Sequence, residues 1–298
     1  MTGRWAPSPT GEFHLGNLRT GLLAWLFARS TGSEFLWRFE DLDAAVRREF
    51  YAAQLDDFSR LGLDWDGGPI LQRDRLDIYR DALQDLKDKG LTYNCWCTRK
   101  EIRESVSAPH NGLPDGAYNG RCRWLSAKEI SEYERSARSP ATRIITNGEH
   151  LQFEDRQVGL FEGAIDDFVL ARGDGTPSYN LTSVVDDAAM GVTEVVRGDD
   201  LLSTTPRQLF LCEQLKLKAP TYAHVPLVLN SAGKRLAKRD GAVTLSQRIS
   251  MGESVVQVLN YLLSSLSLDS VSTVMELELV AKVFNPTKLP RHAWILNI

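Results

Sequence analysis

Arg4-Trp5-Ala6-Pro7-Ser8-Pro9-Thr10-Gly11-Glu12-Phe13-His14-Leu15-Gly16-Asn17 is the stretch on which the fold turns. Two prolines and two glycines within ten residues mark a stiff loop leaving a strand. The apolar run Leu18, Leu22, Leu23, Trp25 and Leu26 then opens a helix that Gly32 can close. A strand, a glycine loop and a helix N-terminus form an anion site, because unpaired backbone N–H groups and the positive end of the helix dipole face one spot. His14 stands there and can donate a hydrogen bond to a phosphate oxygen. The competing reading of the same residues is an ordinary strand-to-helix turn with a surface histidine.

Outward from that loop the chain alternates strands and helices. Phe35 to Glu40 alternates apolar and polar residues as a strand, with Phe35, Trp37 and Phe39 on one side. Arg47 to Leu61 reads as a helix burying Phe50, Tyr51, Leu55 and Phe58, and Asp74 to Lys89 as another burying Ile78, Ala82, Leu83 and Leu86. Strand patterns recur at Asp167–Ala171, Val192–Arg197 and Val225–Leu229, and Thr205–Leu215 is helical. This alternation predicts an α/β fold with a parallel sheet covered on both faces, whose ligands sit at the carboxyl ends of the strands. The rhythm breaks between Thr92 and Pro140, which reads as an insertion, and the part from Gly241 onward is helical in pattern.

The 298 residues carry a net charge of -4, with 43% hydrophobic and 25% charged residues, as in an ordinary soluble globular protein. No apolar run approaches membrane-spanning length and no basic and apolar signal pattern opens the chain, so a cytoplasmic protein without membrane contact is expected. The charge neither advertises nor excludes nucleic acid, since local patches decide that contact. Candidate patches are Arg99, Lys100 and Arg103, then Arg121 and Arg123, then Lys216 and Lys218, then Lys234, Arg235, Lys238 and Arg239. Each taken alone is equally a solvated face.

Two further stretches carry chemistry. Cys95-Trp-Cys97 and Tyr118-Asn-Gly-Arg-Cys122 place three soft ligands and a phenol in one loop-rich module. Zinc takes four tetrahedral ligands, and Tyr118 or His110 can be the fourth, imidazole being the general preference. Three reduced thiols without a metal are the alternative. The remaining Cys212 lies on the apolar face of a helix as a core residue. Asn230-Ser-Ala-Gly-Lys-Arg-Leu-Ala-Lys-Arg-Asp-Gly241 sets four cations beside two glycines. Paired with the N-terminal loop, it suggests two jaws on one polyphosphate. No Gly-x-x-x-x-Gly-Lys-Ser/Thr occurs, which disfavours a P-loop nucleotidase, and Gly173-Asp-Gly175 is too short for a dinucleotide fingerprint.

These residues bring a family into view. Pro7 to Asn17 resembles the HIGH signature of class I aminoacyl-tRNA synthetases in its glutamyl form, and Arg235-Leu-Ala-Lys-Arg239 resembles the KMSKS signature. Arg38-Phe-Glu-Asp-Leu-Asp43, Tyr179-Asn-Leu-Thr182, Val184-Val-Asp-Asp187 and Val196-Arg-Gly-Asp-Asp200 are similar to glutamyl-tRNA synthetase motifs in the same order. About sixty residues follow the second signature, too few for the stem-contact and anticodon-binding regions of a full enzyme. This plan resembles the shortened paralogues of that family, which use ATP to activate glutamate and place it on the queuosine base in the anticodon of tRNA-Asp.

The resemblance implies a Rossmann-type catalytic domain over residues 1–240, interrupted by a zinc-binding, acceptor-like insertion at 92–140, and a short helical C-terminal region at 241–298 without an anticodon-binding domain. It implies a ligase that is a monomer and takes L-glutamate, ATP with magnesium, and queuosine-bearing tRNA-Asp. The implied catalytic residues are His14 and Lys238. Thr10, Gly16, Asn17, Leu236 and Lys238 would contact ATP. Arg4 and Arg197 would meet the glutamate carboxylates with Ser8 beside them, Glu40 the ammonium, and Tyr179 the substrate. It also selects Tyr118 over His110, giving Cys95, Cys97, Tyr118 and Cys122 as ligands of one structural zinc. Ala237 replaces the signature's serine, removing one hydroxyl donor. A shortened synthetase that charges a tRNA 3′ end, and a catalytically silent RNA-binding paralogue, remain as alternatives.

Overall fold

A computed structural model describes residues 1–105, 117–236 and 243–296. The chain enters through β1 (Thr2–Trp5), crosses by α1 (Leu15–Arg29) to β2 (Glu34–Phe39), and continues through α2 (Glu49–Arg60), β3 (Ile70–Leu71) and α3 (Leu76–Asp88). β1, β2 and β3 are parallel, with Arg4 opposite Leu36 and Trp5 opposite Trp37. Phe35, Trp37 and Phe39 are buried on one face of β2 as their alternation predicts, and Phe58 of α2 meets Trp37 edge-on at 4.8 Å. α1 is apolar nearly all round because it is buried nearly all round. Gly21 lets it approach α2: a Cβ there would lie 2.4 Å from the Phe58 ring. The predicted start of the third helix at Asp74 shifts. Residues Gln72–Arg75 form a 3-10 turn, and both Gln72 and Arg75 reach instead to Asp186.

The segment read as an insertion begins with β4 (Thr92–Cys95) and α4 (Arg99–Ser105), followed by a 3-10 turn at Arg121–Trp124, α5 (Ala127–Glu134) and β5 (Ala141–Ile144). A hairpin of β6 (His150–Asp155) and β7 (Gly159–Ala164) precedes β8 (Val169–Ala171). β8 is the strand read at Asp167–Ala171, but it pairs antiparallel with β5, and β5 with β4, in a separate sheet. Its pattern carries no sign of which sheet it joins.

α6 (Tyr179–Ala189), β9 (Glu194–Gly198), α7 (Thr205–Gln214) and β10 (Thr221–Val225) complete the parallel half. β9 pairs parallel with β10, and β10 with β6; Thr193 beside β9 donates to Thr2 O at 2.9 Å, which sets β9 next to β1. The strand expected over Val225–Leu229 is two strands: β10 ends at Val225, and β11 (Val228–Asn230) starts after Pro226, which has no N–H for a ladder. α8 (Leu245–Ser250), α9 (Val255–Ser265), α10 (Leu277–Val283) and β12 (Trp294–Leu296) follow, β12 pairing parallel with β11. Arg19 of α1, 1% exposed, ties the end of α9 to the β10–β11 link through Ser265 Oγ at 3.0 Å and Pro226 O at 2.7 Å. Cys212 is buried in the core under α6 and α7, as expected.

Candidate active site

The carboxyl ends of β1, β2 and β9 open on a cleft of about 610 Å³. Arg4, Ser8, Thr10, His14, Gly16, Asn17, Glu40, Tyr179, Arg197 and Leu236 all line it. The loop that delivers several of them is braced from outside. Glu40 N donates to Pro7 O at 2.9 Å and Arg47 N to Pro9 O at 3.1 Å, while Gln54 Nε2 holds Ser8 O and Gly11 O at 3.2 and 2.7 Å. Gln54 carries no motif, and nothing local in the sequence points to it.

His14 is the N-cap of α1. Its Nδ1 accepts from Asn17 N at 3.1 Å, and Asn17 Oδ1 accepts from His14 N at 3.2 Å. An Nδ1 that accepts leaves the proton on Nε2, the nitrogen free to donate. Burial also holds the imidazole below its ordinary pKa and so keeps it neutral. The helix N-terminus offers fewer amides than its sequence suggests. Leu15 N is taken by Val243 O at 2.7 Å and Asn17 N by the imidazole, leaving Gly16 N as the first-turn amide without a partner among the described residues. The ring folds over Gly16, where a Cβ would come within 2.9 Å of it.

A buried charge network underlies the cleft. Arg38, fully buried, donates to Asp187 at 2.6 Å and Glu40 at 3.3 Å and faces Asp186 at 3.4 Å. Arg4 Nε meets Asp187 at 3.3 Å. Asp186 also accepts from Gln72, Arg75 and Tyr79 at 2.7–2.8 Å. Burial would raise the Asp187 carboxyl, but Arg4 and Arg38 hold it below the usual range. At Glu40 burial prevails over Arg38 and Arg4 and lifts the carboxyl above its usual range. A cation arriving from the cleft would favour its ionised form.

Across the cleft, Arg197 is held by three neutral acceptors: His224 Nε2 at 3.0 Å, Thr205 Oγ1 at 2.9 Å and Tyr179 Oη at 3.2 Å. His224 Nδ1 in turn bonds Asp155 at 2.6 Å. Parallel register makes this row, with His224 opposite Arg197 on β9, and Tyr222 opposite Asp155 on β6. Burial would raise Asp155, yet His224 and nearby amides hold it low; burial and Arg197 keep His224 below its ordinary range, against the pull of Asp155. Sequence reading found Arg197 and Tyr179 but neither His224 nor Asp155, since neither of these lies in a motif.

The cationic stretch reaches the same place. Asn230 N donates to Lys234 O at 2.8 Å in a tight turn, Arg235 pairs with Asp200 at 2.9 Å, and buried Leu236 N donates to Val228 O at 3.4 Å. Further along, the Val243 carbonyl takes Leu15 N, and Thr244 bridges His14. Ala237, Lys238 and Arg239 lie outside the described residues; Leu236 before them lines the cleft.

Around β4, the sulfurs of Cys95, Cys97 and Cys122 lie within 4.8 Å of one another. Cys97 Sγ is 3.4 Å from Cys122 Sγ and 3.5 Å from Tyr118 Oη, and Tyr118 Oη accepts from Cys122 N at 2.8 Å. The hydrogen bond from Cys95 pulls the Cys122 thiol down to about 6, while Cys95, bonded to Cys122 and buried, rises to about 12. Ligand bonds of about 2.3 Å in a tetrahedron set sulfurs roughly 3.8 Å apart, so the cluster can hold a metal ion. Burial and the sulfur contacts push the Tyr118 phenol above its ordinary range, so without a cation it stays protonated. His110 lies outside the described residues.

Comparison with known proteins places the chain in a family. A family model described as tRNA synthetases class I (E and Q), catalytic domain, matches residues 1–298. The chain is 52% identical to the glutamyl-Q tRNA(Asp) synthetase of Nocardia farcinica, over 99% of this chain and 93% of that one. It is 41% identical to glutamate--tRNA ligase 1 of Alkalilimnicola ehrlichii, over 96% of this chain and 63% of that one. Among solved structures, a glutamate tRNA ligase from Elizabethkingia meningosepticum in complex with its amino acid superposes with a TM-score of 0.82 at 25% identity, covering 100% of this chain and 67% of that one.

Proposed function

The chain belongs to the class I tRNA synthetases of the E and Q type, and from that premise we propose that it activates L-glutamate with ATP and transfers it to the queuosine base in the anticodon of tRNA-Asp. The observation that carries this reading is the 52% identity to a glutamyl-Q tRNA(Asp) synthetase along nearly the whole of both chains, against 41% to a glutamate--tRNA ligase.

In the first step an oxygen of the glutamate α-carboxylate attacks the α-phosphorus of ATP in line, the bond to pyrophosphate breaks, and glutamyl-adenylate forms. In the second, a hydroxyl of the acceptor attacks the activated carbonyl and AMP leaves. Neither step needs a protein nucleophile, so catalysis rests on positioning and charge stabilisation. His14 offers Nε2–H and Gly16 its amide to phosphate oxygens, with Thr10, Asn17 and Leu236 around the nucleotide. Lys238 takes the charge that develops on departing pyrophosphate, and magnesium arrives with ATP.

Arg4 and Arg197 receive the two glutamate carboxylates, with Ser8 and Tyr179 beside them. Glu40 receives the ammonium, whose charge offsets the burial that now disfavours its carboxylate. Charged hydrogen bonds of this kind contribute about 1.5–3 kcal/mol each. Cys95, Cys97, Tyr118 and Cys122 hold one zinc ion, which would tie the strand β4 to the turn at Arg121–Trp124 and supply structure rather than chemistry.

The test is glutamate transfer to tRNA-Asp with and without queuosine, beside glutamate-dependent pyrophosphate exchange in the absence of tRNA. Charging confined to the queuosine-bearing RNA, with tRNA-free exchange, is the expected result. Equal charging of both RNAs, or charging of tRNA-Glu alone, overturns it. Absence of exchange would leave the silent RNA-binding paralogue.

A further inference from the structure

The two arginines facing the cleft are held in different ways. Arg4 touches a carboxylate, Asp187, at 3.3 Å. Arg197 forms no ion pair among the described residues; its partners are an imidazole, a hydroxyl and a phenol, and its guanidinium carbon lies 5.1 Å over the Tyr222 ring. A carboxylate in contact cancels much of a guanidinium's field, whereas neutral acceptors fix its position and leave the charge for a ligand. Asp155 is the nearest acid along this row, and it stands behind the full breadth of the His224 ring.

The arrangement works only for one tautomer. Asp155 also accepts from the amides of His224, Gln157 and Val158 at 2.9–3.2 Å, so it is fixed as a hydrogen-bond acceptor. It takes the Nδ1 proton of His224, and Nε2 is left as the lone pair that Arg197 Nε requires. The opposite tautomer would set N–H against N–H.

We propose that His224, locked by Asp155, is the positioning residue that sets glutamate specificity, because it holds Arg197 through a neutral acceptor and leaves its positive charge uncompensated for the substrate carboxylate. This rests on the reading that Arg197 binds glutamate. A neutral carboxamide gains much less from that charge than a carboxylate does, so the row discriminates glutamate from glutamine.

The experiment joins kinetics to spectroscopy. Imidazole nitrogen-15 spectra of the wild type at pH 7 should show His224 protonated on Nδ1 and bare on Nε2. Asp155→Asn and His224→Leu should raise the glutamate KM in pyrophosphate exchange at least tenfold and lower the preference for glutamate over glutamine by a similar factor, with the ATP KM within twofold. His224→Gln, which restores a neutral acceptor, should keep the glutamate KM within about threefold of wild type. A proton on Nε2, an unchanged glutamate KM in Asp155→Asn, or parallel loss for both substrates overturns the positioning role while the functional reading stands. Absence of glutamate-dependent exchange in the wild type overturns the functional reading, and this assignment with it. The spectrum needs no variant to fold.

Discussion

His14 and Asn17 cap each other: the imidazole Nδ1 accepts the Asn17 amide at 3.1 Å, and the Asn17 side chain accepts the His14 amide at 3.2 Å. One residue thus both starts α1 and presents an N–H to the cleft, and the two roles can be separated. Asparagine is a favoured N-cap, so His14→Asn should preserve the helix start while removing the Nε2 donor. Its Tm should stay near wild type, and adenylate formation measured by pyrophosphate exchange should fall at least tenfold. His14→Ala should show the same kinetic loss together with about 1 kcal/mol of lost stability from the missing cap. Wild-type exchange in His14→Asn would reduce the histidine to a cap.

The loop around His14 was legible because its signals are local. Proline, glycine and a cap residue act within one turn of chain, and the alternation of Phe35, Trp37 and Phe39 names its own buried face. The other face of β2 was not legible. Arg38 reads as the polar member of that alternation, yet it is fully buried because Asp186 and Asp187, far along the chain, close over it. His224 and Asp155 escaped for the same reason: their meaning comes from strand register between β6, β10 and β9. Buried ion networks are long-range features, and periodicity scores them as surface. The strand at Val169–Ala171 was recognised as a strand, but its place in a second, antiparallel sheet is decided by β5.

The sulfur cluster yields a prediction independent of activity. Cys97 touches both Cys122 and Tyr118, so Cys97→Ala removes one of the three thiols together with both of those contacts. Metal analysis of purified wild type should find one zinc per chain, and the variant markedly less. Limited proteolysis should then cut the variant faster between residues 92 and 140, because structural zinc contributes folding energy directly. Wild-type protein free of zinc after purification with the metal present would remove the assignment.

A pH dependence follows from Asp57 on α2. Its side chain is largely buried, and burial, with the charge of Glu12 adding to it, lifts its carboxyl from 3.8 to about 7. Between these values the folded protein keeps a proton that the unfolded chain releases, so folding binds a proton and stability falls as pH rises. The loss is complete above pH 7, where the folded carboxyl ionises too, and absent near pH 4. Asp57→Asn is neutral at every pH and removes that dependence. At pH 8 its Tm should exceed wild type by several degrees, and the gap should close as pH approaches 4. An equal gap at both pH values would mean that packing, rather than the buried charge, separates the two proteins.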